Sequence, residues 1–126
     1  MKANELRIGN WVEYNGYIYQ IAELRSKLIQ EDSVYLVSKE REAWTEYDKL
    51  KPIPLTEEWL FKFGFIQIHE NNFQDFECEI MVDLFNEKIH IISAMPWKQL
   101  NHIKYVHQLH NLYFALTNEE LTFKSE

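Results

Sequence analysis

The chain has one cysteine, three glycines and three prolines in 126 residues, and each scarcity closes off a class of protein. A single thiol, Cys78, forms no internal disulfide, so the fold is not stapled. Its neighbours Glu77 and Glu79 raise a thiol pKa, whereas an activated thiolate needs positive surroundings, so Cys78 reads as a reduced thiol in a sheet. Three glycines cannot build a phosphate-cradling loop of Rossmann or P-loop form. No Gly-x-Ser-x-Gly elbow and no His-Glu-x-x-His pair is present. No apolar run approaches the about 18 residues of a membrane span. The first residues, Met-Lys-Ala-Asn-Glu-Leu-Arg, lack the apolar centre of a signal peptide, so the expectation is a cytoplasmic protein with no membrane partner.

Apolar residues are plentiful: 46% are hydrophobic and 15% aromatic, enough for one sizeable core or two small ones. Net charge is −7, and residues 1–54 carry only −1 of it while 55–126 carry −6. An acidic surface repels a phosphate backbone, so nucleic acid is disfavoured as a partner. The alternative reading is an accessory nucleic-acid binder using the nearly neutral first half through Arg7, Arg25, Lys27 and Arg41.

The chain turns on Lys51 to Phe65. Pro52 and Pro54 remove N–H donors and keep 51–55 extended, so a sheet ends there. Thr56 is a good N-cap, Glu57 and Glu58 suit the first turn of a helix, and Leu55 and Leu60 have the spacing of a hydrophobic staple. Gly64 supplies the left-handed residue that stops the helix after about two turns. A helix that short needs packing to persist, and its Trp59, Leu60, Phe61 and Phe63 are expected to plug a sheet.

Before this hinge, residues 6–50 read as short strands. Asn15-Gly16 predicts a type I′ hairpin joining Trp11–Tyr14 to Tyr17–Leu24, and residues 33–38 and 43–50 form a second hairpin across Lys39-Glu40-Arg41-Glu42. Four or five such strands predict a small SH3-like barrel. After the hinge, a strand at 65–69, a loop at Glu70-Asn71-Asn72, an alternating strand at 76–85 and a strand at 88–94 ended by Pro96 predict an antiparallel meander. Tyr105, Val106, Leu109, Leu112, Tyr113 and Leu116 form the stripe of a helix over 104–116, with Lys104, His107, Gln108 and Asn111 on its wet side. Thr117-Asn118 stops it, and Leu121-Thr122-Phe123 forms a last strand or a docked tail. The predicted class is α+β: an SH3-like barrel over 1–54, then a short helix, an antiparallel meander and a C-terminal helix over 55–126, packed against it.

Three candidate chemistries can be weighed. His107 and His110 at i, i+3, with His102 upstream, have the spacing of a ligand pair, but no carboxylate in the helix and no second histidine cluster completes it. They read as surface or hydrogen-bonded histidines, with no metal and no cofactor. Glu57/Glu58 and Glu119/Glu120 flank helix ends and serve capping and solubility. The aromatic surplus of the first half is the remaining feature: Trp11, Tyr17, Tyr19, Trp44 and Tyr47 are the candidate binding residues, with Tyr14 and Tyr35 nearby. Aromatic-lined small barrels read peptides.

Lys2–Asn10 (KANELRIGN), Pro52–Leu60 (PIPLTEEWL) with Phe63-Gly64-Phe65, and Val106–Thr117 (VHQLHNLYFALT) with Glu119-Glu120-Leu121 resemble a family of small proteins of unassigned activity. That family is common in Bacteroides-type bacteria and their phages and mobile elements. The resemblance spans start, middle and end, and departs from the pattern at His110, where the family has Gln, and at Asn118, where it has Gly. The first departure counts against a metal role for His110. The resemblance implies a cytoplasmic setting and a phage or prophage origin, and carries no activity, cofactor or site. The expectation for function is a non-enzymatic protein-interaction module with a protein partner.

Overall fold

A computed structural model describes residues 5–25, 33–75, 80–92 and 98–123. The chain is α+β and divides into two compact units, Met1–Ile53 and Pro54–Glu126.

The first unit grows from the hairpin at Asn15-Gly16, where φ of +53° and +81° give the type I′ turn that only such residues adopt readily. It joins β1 (Trp11–Tyr14) to β2 (Tyr17–Arg25), followed by β3 (Ser33–Val37) and β4 (Glu42–Glu46). The strands form an antiparallel sheet in the order β1-β2-β3-β4. A 3-10 turn at Tyr47–Lys49 then reverses the chain, and Lys51 exchanges both backbone hydrogen bonds with Glu13 of β1, at 2.9 and 3.0 Å. That contact is a single bridge, so among the described residues the first unit is an open four-stranded antiparallel sheet with one return contact to β1. The reason lies in Pro52 and Pro54, which lack the donors a longer fifth strand needs. Paired residues share a face, and the register places Val12 opposite Tyr19 and Ile21 opposite Leu36. These four join Leu6, Val34, Tyr47 and Leu50 in the unit's core.

In the second unit, Thr56 caps α1 (Glu57–Lys62) by accepting from the Trp59 N–H, and Gly64 at φ +88° lets the Phe65 N–H reach back to the Leu60 carbonyl at 3.0 Å. A five-stranded antiparallel sheet follows in sequence order: β5 (Ile66–His69), β6 (Asn72–Asp75), β7 (Ile80–Asp83), β8 (Lys88–Ile91) and β9 (Lys98–Leu100). Phe73, Ile80, Val82 and Ile89 are buried on one face. Phe61 of α1 meets Phe73 edge-on at 5.4 Å, seating the short helix against the sheet as expected.

Two strands went unforeseen. Residues 72–75, Asn-Phe-Gln-Asp, carry one apolar residue in four and form a strand because Phe73 is buried opposite Val82; β9 is three residues long and shows no alternation. The α-β-β-β-α reading is corrected accordingly to five strands, among the described residues, between the helices. Cys78 with Glu77 and Glu79 lies outside the described residues, as do Lys27, Pro96 and the first four residues.

Helix α2 (Val106–Thr117) starts where Gln108 Oε1 accepts from the N–H groups of Lys104 and Tyr105, at 2.8 and 3.1 Å, and ends at Asn118 with φ +59°. Leu55 N–H donates to the Lys104 carbonyl, tying the approach to α1 to the approach to α2. Leu121 is buried and Phe123 stacks on Phe63 with ring centres 5.6 Å apart, so residues 121–123 form a docked tail. No described helix is long and apolar enough to cross a membrane.

Candidate functional site

The outer face of the first sheet carries an aromatic pair. Tyr35 of β3 and Trp44 of β4 are direct cross-strand partners, and their rings stack with centres 4.8 Å apart and planes at 28°. Glu23 of β2 lies opposite Tyr35 on its other side, so one row across the face reads Glu23-Tyr35-Trp44. The Tyr35 hydroxyl donates to the Glu42 carboxylate, diagonally placed on β4. That hydrogen bond, then partial desolvation and the negative charges of Glu42 and Glu23, push the Tyr35 phenol above its ordinary 10.0. The ring pair therefore sits in a locally negative field.

A second exposed aromatic, Tyr17, stands at the β1–β2 turn. The Arg41 guanidinium lies 3.9 Å from its ring centre in a cation–π contact. Arg41 reaches it from the β3–β4 turn, which Ser38 holds by donating its N–H to the Arg41 carbonyl at 2.8 Å and accepting the Arg41 N–H on its hydroxyl at 3.1 Å. Tyr17, Ile18 and the turn residues Ser38 to Arg41 line a shallow open depression.

The five candidate binding residues thus separate into two groups. Tyr17 and Trp44 are each 47% exposed, while Trp11, Tyr19 and Tyr47 are buried and offer no surface. Tyr19 is opposite Val12 on the inner face, and the 3-10 turn carries Tyr47 into the core. Tyr35 and Glu42 belong to the face; Tyr35 was named only as a neighbour of the candidates, and Glu42 was not among them. The signal for Tyr35 was there: in Ser33–Val37 it alternates with Val34 and Leu36, which are buried.

Of the histidines, His107 falls elsewhere than expected. His107, read as wet, is buried, and its ring stacks on Tyr105 at 6.1 Å and 11°. The helix is rotated so that Val106, His107, Leu109, His110 and Tyr113 face inward while Leu116 is exposed. His110 is buried with Nε2 2.6 Å from Glu120 Oε2, and His102 is exposed. Among the described residues no three His, Cys, Asp or Glu side chains come together in a metal-binding group. The second unit also holds a cavity of about 170 Å³ beside Pro54–Leu55 and Ile103–Tyr105. That is below the roughly 300 Å³ at which small-molecule sites begin.

Comparison with known proteins finds no matching family model, no matching curated protein and no matching solved structure.

Proposed function

We propose that this chain is a non-enzymatic, cytoplasmic protein-interaction module of phage or mobile-element origin, and that it binds its partner through the outer face of its first sheet. The observation that carries this reading is the Tyr35–Trp44 stack, large aromatic area left half in water on a strand face rather than turned into the core. Rigid aromatic pairs supply binding energy at low entropic cost, and aromatic residues dominate the centres of protein interfaces. The strand order β1 to β4, the 3-10 turn and the return to β1 at Lys51 support an SH3-like reading of the unit. The nucleic-acid reading gains no support from Arg41, whose guanidinium rests on Tyr17.

The test is a pull-down with the immobilised full chain beside its Trp44→Ala and Tyr17→Ala variants, each checked by melting to be folded at the temperature of the assay. A specific protein retained by the wild type and weakened in the variants supports the reading. Equal capture by all three, or none by any, removes it.

A further inference from the structure

We propose that the partner segment taken by the outer face of the first sheet is basic: an extended stretch whose lysine or arginine side chains lie on the Tyr35–Trp44 rings and against the glutamates around them. This rests on the reading of that face as the binding surface and adds the chemistry of what it binds.

The face is built by alternation. Val34 and Leu36 of β3 are in the core, which sends Ser33, Tyr35 and Val37 to the other side, and the register sets Glu46, Trp44 and Glu42 of β4 opposite those three. On β2, Arg25, Glu23 and Gln20 are opposite the same three residues. The face therefore reads in three rows, Gln20-Val37-Glu42, Glu23-Tyr35-Trp44 and Arg25-Ser33-Glu46. Three glutamates stand against one arginine, and that arginine is on β2, two strands from Trp44. Glu23, Glu42, Trp44 and Glu46 are all exposed. Glu42 and Glu23 both push the Tyr35 phenol upward, so their charge reaches the rings.

The sign of that charge selects the occupant. The faces of aromatic rings attract cations, and a lysine or arginine covers a ring with its apolar stem while its head reaches a carboxylate. The same unit already holds a guanidinium on a ring, Arg41 on Tyr17 at 3.9 Å. The Tyr35 hydroxyl engages Oε2 of Glu42, and a carboxylate accepts through both oxygens. An acidic or phosphorylated partner meets this field as repulsion, and a neutral one gains nothing from the carboxylates it must desolvate. Along β4, Glu42, Trp44 and Glu46 are spaced by two residues, the side-chain period of any extended chain. Basic residues at i, i+2 and i+4 of a partner set the middle cation on Trp44 and the outer two beside the glutamates.

The probe is the capped peptide Gly-Lys-Ser-Arg-Ser-Lys-Gly, with a neutral counterpart carrying norleucine for lysine and citrulline for arginine. Each is titrated to about 2 mM into the full chain and followed by amide and indole N–H NMR at low and high salt. The basic peptide should shift the Trp44 indole N–H and leave those of the buried Trp11 and Trp59 in place. Salt should weaken its binding, and the neutral peptide should bind about tenfold or more weakly. Glu23→Gln with Glu42→Gln should weaken it about fivefold or more, whereas Glu70→Gln with Glu119→Gln, the same change of charge at exposed positions of the second unit, should not. Melts confirm that the variants fold, and if the first pair does not, the neutral peptide decides. No binding by about 2 mM, an unmoved Trp44 indole, equal binding of the neutral peptide, or equal weakening by both glutamate pairs overturns the proposal. The two readings fail separately. A captured protein that is lost with Trp44→Ala and unaffected by the Glu23→Gln, Glu42→Gln pair leaves the face a binding surface and removes its basic partner.

Discussion

His110 Nε2 lies 2.6 Å from Oε2 of Glu120, ten residues further along, and this contact fastens the chain after α2 back onto the helix it has just left. The imidazole side chain is 2% exposed and the carboxylate 48%, so one partner is anchored in the core and the other is held at its rim. Beside the contact, Asn118 turns the chain in the left-handed region and Leu121 is buried.

Glu120→Ala should lower the unfolding free energy by about 1 kcal/mol, because a buried imidazole loses a hydrogen-bond partner while the exposed end of the pair contributes little. Glu120→Gln keeps an acceptor and should cost less. Urea denaturation of the three proteins, compared at constant slope, checks the order; equal stabilities would assign the tail's docking to Leu121 and Phe123 alone.

The Tyr35 phenol is raised by the Glu42 hydrogen bond first and by the charges of Glu42 and Glu23 after it. A raised folded value means the folded state holds the proton more tightly. The contribution to stability is complete below the unfolded value near pH 10 and is lost as pH climbs through the folded value. Glu42→Gln should bring Tyr35 back toward 10.0. Tyrosine ring-carbon NMR across an alkaline titration measures it, and an unmoved Tyr35 would break the assignment of the cause.

Asp83 behaves in the opposite sense. The Asn86 side-chain amide donates to it at 2.8 Å and, against the opposing effect of desolvation, holds its carboxyl below the ordinary 3.8, helped by the backbone N–H groups of Asn86 and Phe85 and by His90. Its contribution is present above pH 3.8 and is lost as pH falls through the lower folded value. Asn86→Ala should raise Asp83 toward 3.8 in a carboxyl-carbon NMR titration and loosen the β7–β8 turn. A titration curve identical to wild type would show that the backbone donors suffice.

What could be read from the residues was whatever local chemistry decides. Asn15-Gly16, the Thr56 cap, Gly64 and the Asn118 stop each act within about four residues, and all four stand where their chemistry places them. Strands β6 and β9 were not legible, because each holds a single apolar residue, Phe73 and Leu100, so each is set by the neighbour it pairs with and hardly by its own composition. The same limit governed the aromatic residues. Trp11, Tyr19 and Trp44 look alike in sequence, and only register decides that Tyr19 is opposite Val12 inside while Trp44 is opposite Tyr35 outside. His107 was misassigned because polarity was taken for exposure, although the amphipathic body of an imidazole buries readily.

The two tryptophans of the first unit should therefore part company under substitution. Trp11 is buried and Trp44 is 47% exposed. Trp11→Ala removes a large buried side chain and should cost about 3–5 kcal/mol, a large share of the stability of a small unit. Trp44→Ala gives up its stacking on Tyr35 and little burial, and should cost about 1 kcal/mol. Partner capture should respond in the reverse order once both proteins are compared under conditions where they are folded: weakened by Trp44→Ala, retained by Trp11→Phe, which keeps a buried aromatic ring. Denaturant melts and capture measured on the same preparations check both orders. If Trp44→Ala proved the more destabilising, its ring would belong to the fold, and the outer face would lose its claim as a binding surface.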